Sequence, residues 1–87
     1  MLNRTQRIVT SAQLGTLLVS VRKSRKLTQA QLGARLGLSQ KRVSELELAS
    51  GTLSVDQLLA ICAQLGLQLN VQLRDDTPPA RDSATAW

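Results

Sequence analysis

Leu14, Leu17, Leu18 and Val21 recur at i, i+3, i+4 and i+7 behind a Thr10/Ser11 pair, which predicts an amphipathic helix from residue 11 to about 25. Thr28 and Gln31 make a capping box, Leu32 and Leu36 share a face, and Gly37 stands where a left-handed C-terminal cap belongs. A short second helix is therefore expected over 28–36. Gly33 inside it costs about 1 kcal/mol relative to alanine, and a buried crossing that needs close approach is the natural reason to keep it. Ser39 caps a third helix, in which Val43 and Leu46 point inward and Gln40, Lys41, Ser44 and Glu45 are left turned away from the core. Gly51 ends that region. Ser54 with Gln57 forms a second capping box before an apolar stripe of Val55, Leu58, Leu59, Cys62 and Leu65, and Gly66 closes this fourth helix.

At Leu67 the period changes. LQLNVQL alternates apolar Leu67, Leu69, Val71 and Leu73 with polar Gln68, Asn70 and Gln72, the signature of a strand. A strand needs partners for its backbone groups, and the chain offers no second strand of comparable quality. The simplest partner is the same segment of a second copy, giving a twofold-symmetric homodimer with an intermolecular two-stranded sheet. Residues 1–73 then form one domain. The segment 74–87, RDDTPPARDSATAW, has a Pro78-Pro79 break and small polar residues that cannot offset their ordering entropy by burial, so a flexible tail is expected. It carries the only aromatic residue, Trp87, which is either incidental to the chain end or an anchor for a partner or protease.

Composition removes several function classes. Cys62 is the only cysteine, histidine is absent, and no cluster has metal-ligand spacing, so neither a disulfide framework nor a structural metal is expected. Cys62 lies on the apolar stripe of the fourth helix and reads as a small buried hydrophobe. With no histidine, no Gly-rich phosphate loop, no nucleophile beside a matching base, and six carboxylates of which three fall in the tail, the chain is expected to be neither an enzyme nor dependent on a cofactor. MLNRTQRIVT lacks the apolar run of a signal peptide, and no stretch approaches the roughly 18 apolar residues of a membrane span. The expectation is a cytoplasmic, nucleoid-associated protein.

Charge is uneven. The whole chain is +5, but residues 1–73 hold nine Lys/Arg against Glu45, Glu47 and Asp56, a net +6. A compact basic domain is the electrostatic footprint of nucleic-acid binding, or a solvated basic face. Arg22, Lys23, Arg25 and Lys26 gather in the last turn of the first helix, where they oppose the macrodipole or meet phosphate.

Two short helices joined through Gly37, the second capped by Ser39, with a longer helix before and another after, fit a helix-turn-helix arrangement. In that arrangement the second helix enters the major groove and its first residues reach base edges. Gln40, Lys41 and Ser44 are then the candidate base readers: Gln suits adenine, Lys the guanine O6/N7 pair, and Ser several edges. Ser39 reads as a cap first, with a base or phosphate contact as an extra. Gln29, Thr28 and Arg42 are candidate phosphate contacts, which position a protein on the duplex without reading it. Glu45 accepts from cytosine N4, repels phosphate or pairs with a neighbouring cation.

Residues 28–54, TQAQLGARLGLSQKRVSELELASGTLS, resemble the Xre/Cro-type helix-turn-helix family through Thr28, Gln29, Gly33, Leu36, Gly37, Ser39, Val43, Leu46 and Glu47. Gly33 replaces the more usual alanine, and ELASG replaces the common E-N-G. The resemblance implies a lambda-repressor-like bundle, mainly α with four or more helices, to which the alternation at 67–73 adds the one C-terminal β-strand pairing across the homodimer. QRIVTSAQL, SVRKSRKLTQAQL, the strand LQLNVQL and a short polar tail ending in Trp87 are together similar to HipB-type antitoxins. That narrower likeness implies palindromic operator DNA, autorepression of the operon, a HipA-type serine/threonine kinase toxin as partner, base contacts at Ser39, Gln40, Lys41 and Ser44, and a tail that a protease engages. A free-standing repressor without a toxin, and a helical protein-interaction adaptor, are the alternatives.

Overall fold

A computed structural model describes residues 5–74 of the 87. Four helices follow in order: α1 Ser11–Ser24, α2 Gln29–Leu36, α3 Gln40–Leu48 and α4 Val55–Leu65, with a single 3-10 turn at Ser50–Thr52 between α3 and α4. Each starts at a residue whose hydroxyl accepts a backbone N–H of the first turn: Thr10 from Gln13, Thr28 from Gln31, Ser39 from Arg42, and Ser54 from Gln57. The boxes expected at Thr28/Gln31 and Ser54/Gln57 are both complete, and Thr10/Gln13 forms a third. Caps of this kind are each worth about 1 kcal/mol, which matters for helices as short as α2 and α3.

The core lies where α1, α2, α3 and α4 meet and is built on Leu18, Val21, Leu32, Val43, Ile61 and Leu65, with Leu14, Leu17, Leu36, Leu38 and Leu58 packed around it. Val43 and Leu46 are inward, as their spacing requires. The α4 stripe differs from the sequence reading. Val55 and Leu59 are exposed, at 68% and 47%, and the buried face is Ile61, Cys62 and Leu65 with Leu58 half-buried. Val55 and Leu59 occupy one i, i+4 row at the edge of that face, and periodicity does not say which edge of a broad apolar stripe meets the core.

The turn between α2 and α3 sets the geometry of the motif. Gly37 adopts φ 72°, and the N–H of Leu38 donates to the Gly33 carbonyl at 2.8 Å, so the chain reverses within three residues. A Cβ on Gly33 would come 2.5 Å from the Leu38 carbonyl oxygen and 3.2 Å from Val43 Cγ2. Gly33 is thus kept for close approach to this turn.

Among the described residues no strand forms. Residues 67–74 carry no regular secondary structure, and Leu69, Val71 and Leu73 are exposed at 48, 76 and 75%. A strand is defined by its ladder, and no second strand among the described residues pairs with this segment. All of the expected tail after Arg74, including Pro78, Pro79 and Trp87, lies outside the described residues. No helix among the described residues is long and apolar enough to cross a membrane.

Candidate nucleic-acid interface

Where α2 and α3 begin, the structure brings their first residues together. Gln40 Nε2 donates to Gln29 Oε1 at 2.6 Å, and Gln29 Nε2 donates to Glu47 Oε1 at 2.9 Å. Glu47, on the last turn of α3, is gripped in turn by Arg22 of α1, whose Nε lies 2.6 Å from Oε2 and whose Nη2 lies 3.2 Å from Oε1. Arg22 Nη1 completes the set by donating to the Leu27 carbonyl at 2.9 Å. Both charged side chains are nearly buried, at 9 and 8% exposure, and no buried side-chain polar atom among the described residues lacks a partner. A bidentate pair with its remaining donors satisfied is the form in which a buried ion pair is tolerated.

This chain of bonds has a direction. A carboxylate only accepts, so the amide nitrogen of Gln29 must face Glu47 and its oxygen must face Gln40. Gln40 must then use one N–H inward. Its second N–H and its oxygen remain at the exposed start of α3, a donor beside an acceptor, which is the complement of the adenine N6/N7 edge.

Lys41 is exposed and Ser44 half-exposed on the same helix. The Ser39 hydroxyl accepts from Arg42 N–H at 3.1 Å, and that of Thr28 from Gln31 N–H at 3.0 Å, so both are caps first and keep a hydroxyl proton to donate. Gln29 is half-buried, and one of its two N–H groups is already committed to Glu47. It therefore offers less to a phosphate than its place at a helix N-terminus promises. Arg42 Nη1 and Glu45 Oε1 sit 3.4 Å apart at the surface, so Glu45 has a neighbouring cation within reach. An exposed pair at that distance contributes about 0–1 kcal/mol and leaves Arg42 easily recruited elsewhere.

The basic cluster of α1 separates into distinct roles. Arg22 is internal. Arg25 Nε donates to the Leu65 carbonyl at 3.1 Å, tying the end of α1 to the end of α4. Lys23 and Lys26 stay exposed. Sequence reasoning missed the Arg22–Glu47 pair, although a signal was present: Arg22 follows Val21 and Glu47 follows Leu46, each beside the apolar face of its helix. Two opposite charges entering the same core announce a buried pair.

The helix-turn-helix fold places the chain in the class of DNA-binding transcription regulators. A family model for helix-turn-helix domains matches residues 18–72, more than half of the chain, and the protein belongs to that family, in its Xre-like branch. No curated protein and no solved structure matches the chain.

Proposed function

We propose that the protein is a sequence-specific repressor that reads operator DNA in the major groove with the first turn of α3. The observation that carries this is the hydrogen-bonded chain from Arg22 to Gln40, which holds one reading side chain in a fixed orientation at an exposed helix start. Gln40, Lys41 and Ser44 read bases, with Ser39 at the edge of the same surface. Thr28, Gln29 and Arg42 set the register on phosphates. Two copies bind a palindromic operator, paired through Leu67, Leu69, Val71 and Leu73; the alternation of the segment and the exposed apolar side chains of Leu69, Val71 and Leu73 support strand pairing between copies. The antitoxin role, with a HipA-type kinase as partner and Trp87 as an anchor on the tail, rests on the sequence resemblance.

The test is binding to DNA from immediately upstream of the gene, titrated with salt, using wild type, Lys41→Ala, Gln40→Ala and Arg42→Ala. The reader variants lose about 1–3 kcal/mol of discrimination at one base step per half-site, and Arg42→Ala weakens all sequences alike. Weak binding with little salt dependence, or equal losses on specific and nonspecific DNA in all three variants, rejects the reading. Co-purification with the kinase, and relief of its toxicity, decides the antitoxin role separately.

A further inference from the structure

Lys26 is the one residue other than glycine with positive φ among the described residues, at 58°. It occupies the left-handed position that closes α1: Lys26 N donates to the Lys23 carbonyl at 2.9 Å and Leu27 N to the Arg22 carbonyl at 3.1 Å. Those two bonds make the paired closure in which glycine is the favoured residue, because a Cβ is strained there. The bonds use backbone alone, so the turn needs no lysine. The lysine side chain is exposed, whereas the neighbouring Arg22 is spent on Glu47 and the Leu27 carbonyl, and Arg25 is tied by its Nε to the Leu65 carbonyl.

We infer that Lys26 is a further phosphate-contacting residue, held by its left-handed backbone beside the start of α2. This rests on the DNA-reading assignment above. Lys26 lies three residues before Gln29, so their Cα atoms are within about 11 Å, and Gln29 touches Gln40 at the start of the reading helix. A flexible lysine at that distance reaches a phosphate flanking the bases that α3 reads. Lys23, a turn earlier on α1, has no such link to the α2 start.

Lys26→Gly separates charge from fold, because it keeps the backbone geometry and removes only the side chain; Lys26→Arg keeps the charge. Full-length variants are compared by thermal melting and by salt-titrated binding to the upstream DNA. Lys26→Gly should melt at or above the wild-type temperature yet bind specific and nonspecific DNA more weakly by the same factor. Its log–log salt slope should be shallower by about 0.9 per bound copy, so its deficit shrinks about 3.5-fold per copy between 50 and 200 mM salt. Lys26→Arg should keep the wild-type slope. An unchanged slope in Lys26→Gly overturns the inference, and an unchanged slope with a lower melting temperature assigns the charge to the α1 dipole instead. If wild type itself fails to bind DNA with a steep salt dependence, it is the repressor reading that fails.

Discussion

Replacing Glu47 by glutamine leaves the shape of the α3 end intact and removes the charge that Arg22 is buried against. The two side chains are 9 and 8% exposed and share two hydrogen bonds, so the guanidinium would be left largely desolvated beside a neutral amide. Breaking a buried pair from one side costs about 3–5 kcal/mol, and the residual exposure places this case near 3. About 70 ordered residues support roughly 4–10 kcal/mol in total. Glu47→Gln therefore consumes a third or more of the stability and lowers the melting temperature by about 12–24 °C. The double variant Arg22→Met/Glu47→Leu removes both charges together. It should return to within about 1–2 kcal/mol of wild type, the remainder being the Leu27 carbonyl that Arg22 no longer satisfies. Urea unfolding followed by circular dichroism measures both, with constant m as the check that the unfolded state is unchanged. The double variant also deprives Gln29 of its acceptor, so it should be folded yet discriminate poorly at the base step read by Gln40. A single variant within 1 kcal/mol of wild type, a double variant no more stable than the single one, or a stable double variant with full discrimination would each refute this account.

Gly33→Ala gains about 1 kcal/mol of helix propensity but sets a Cβ 2.5 Å from a backbone oxygen; overpacking of about 3 kcal/mol leaves a net loss of about 2 kcal/mol, read in chemical denaturation. Removal of residues 67–87 should leave the helical circular dichroism signal and yield monomers in sedimentation; a truncated chain that remains dimeric contradicts strand pairing. Burial pushes the Cys62 thiol above its ordinary 9.0. The folded chain thus keeps its proton where the unfolded chain loses it, so stability is intact below about pH 9 and falls above it. Cys62→Ala should abolish that alkaline decline, read from denaturation midpoints.

The helices were legible because short-range chemistry specifies them: four capping hydroxyls, two glycine stops, and apolar pairs such as Val43 and Leu46 at helical spacing. The exposed candidates Gln40 and Lys41 followed from the same spacing. What sequence could not order was the long-range wiring. The Arg22–Glu47 contact joins residues 25 apart in the chain, and the partial commitment of Gln29 depends on it. Periodicity puts Val55 and Leu59 inside, where the structure exposes them, because a stripe that wide has two candidate edges. The segment from Leu67 is a different case: its alternation is plain, but a ladder is a property of two segments, and one chain supplies one.

The contact between Gln29 and Gln40 bears on how such a protein changes its target over generations. Under the proposed reading Gln40 contacts a base and Gln29 braces it through one direct side-chain hydrogen bond, so altering the reader alone leaves the brace mispaired, and altering the brace alone lets the reader swing. Operator preference at that base step is then inherited as a two-residue character. Descendants that acquire a new preference there should carry paired replacements at positions 29 and 40, whereas Lys41, whose charge projects alone, is free to drift by itself.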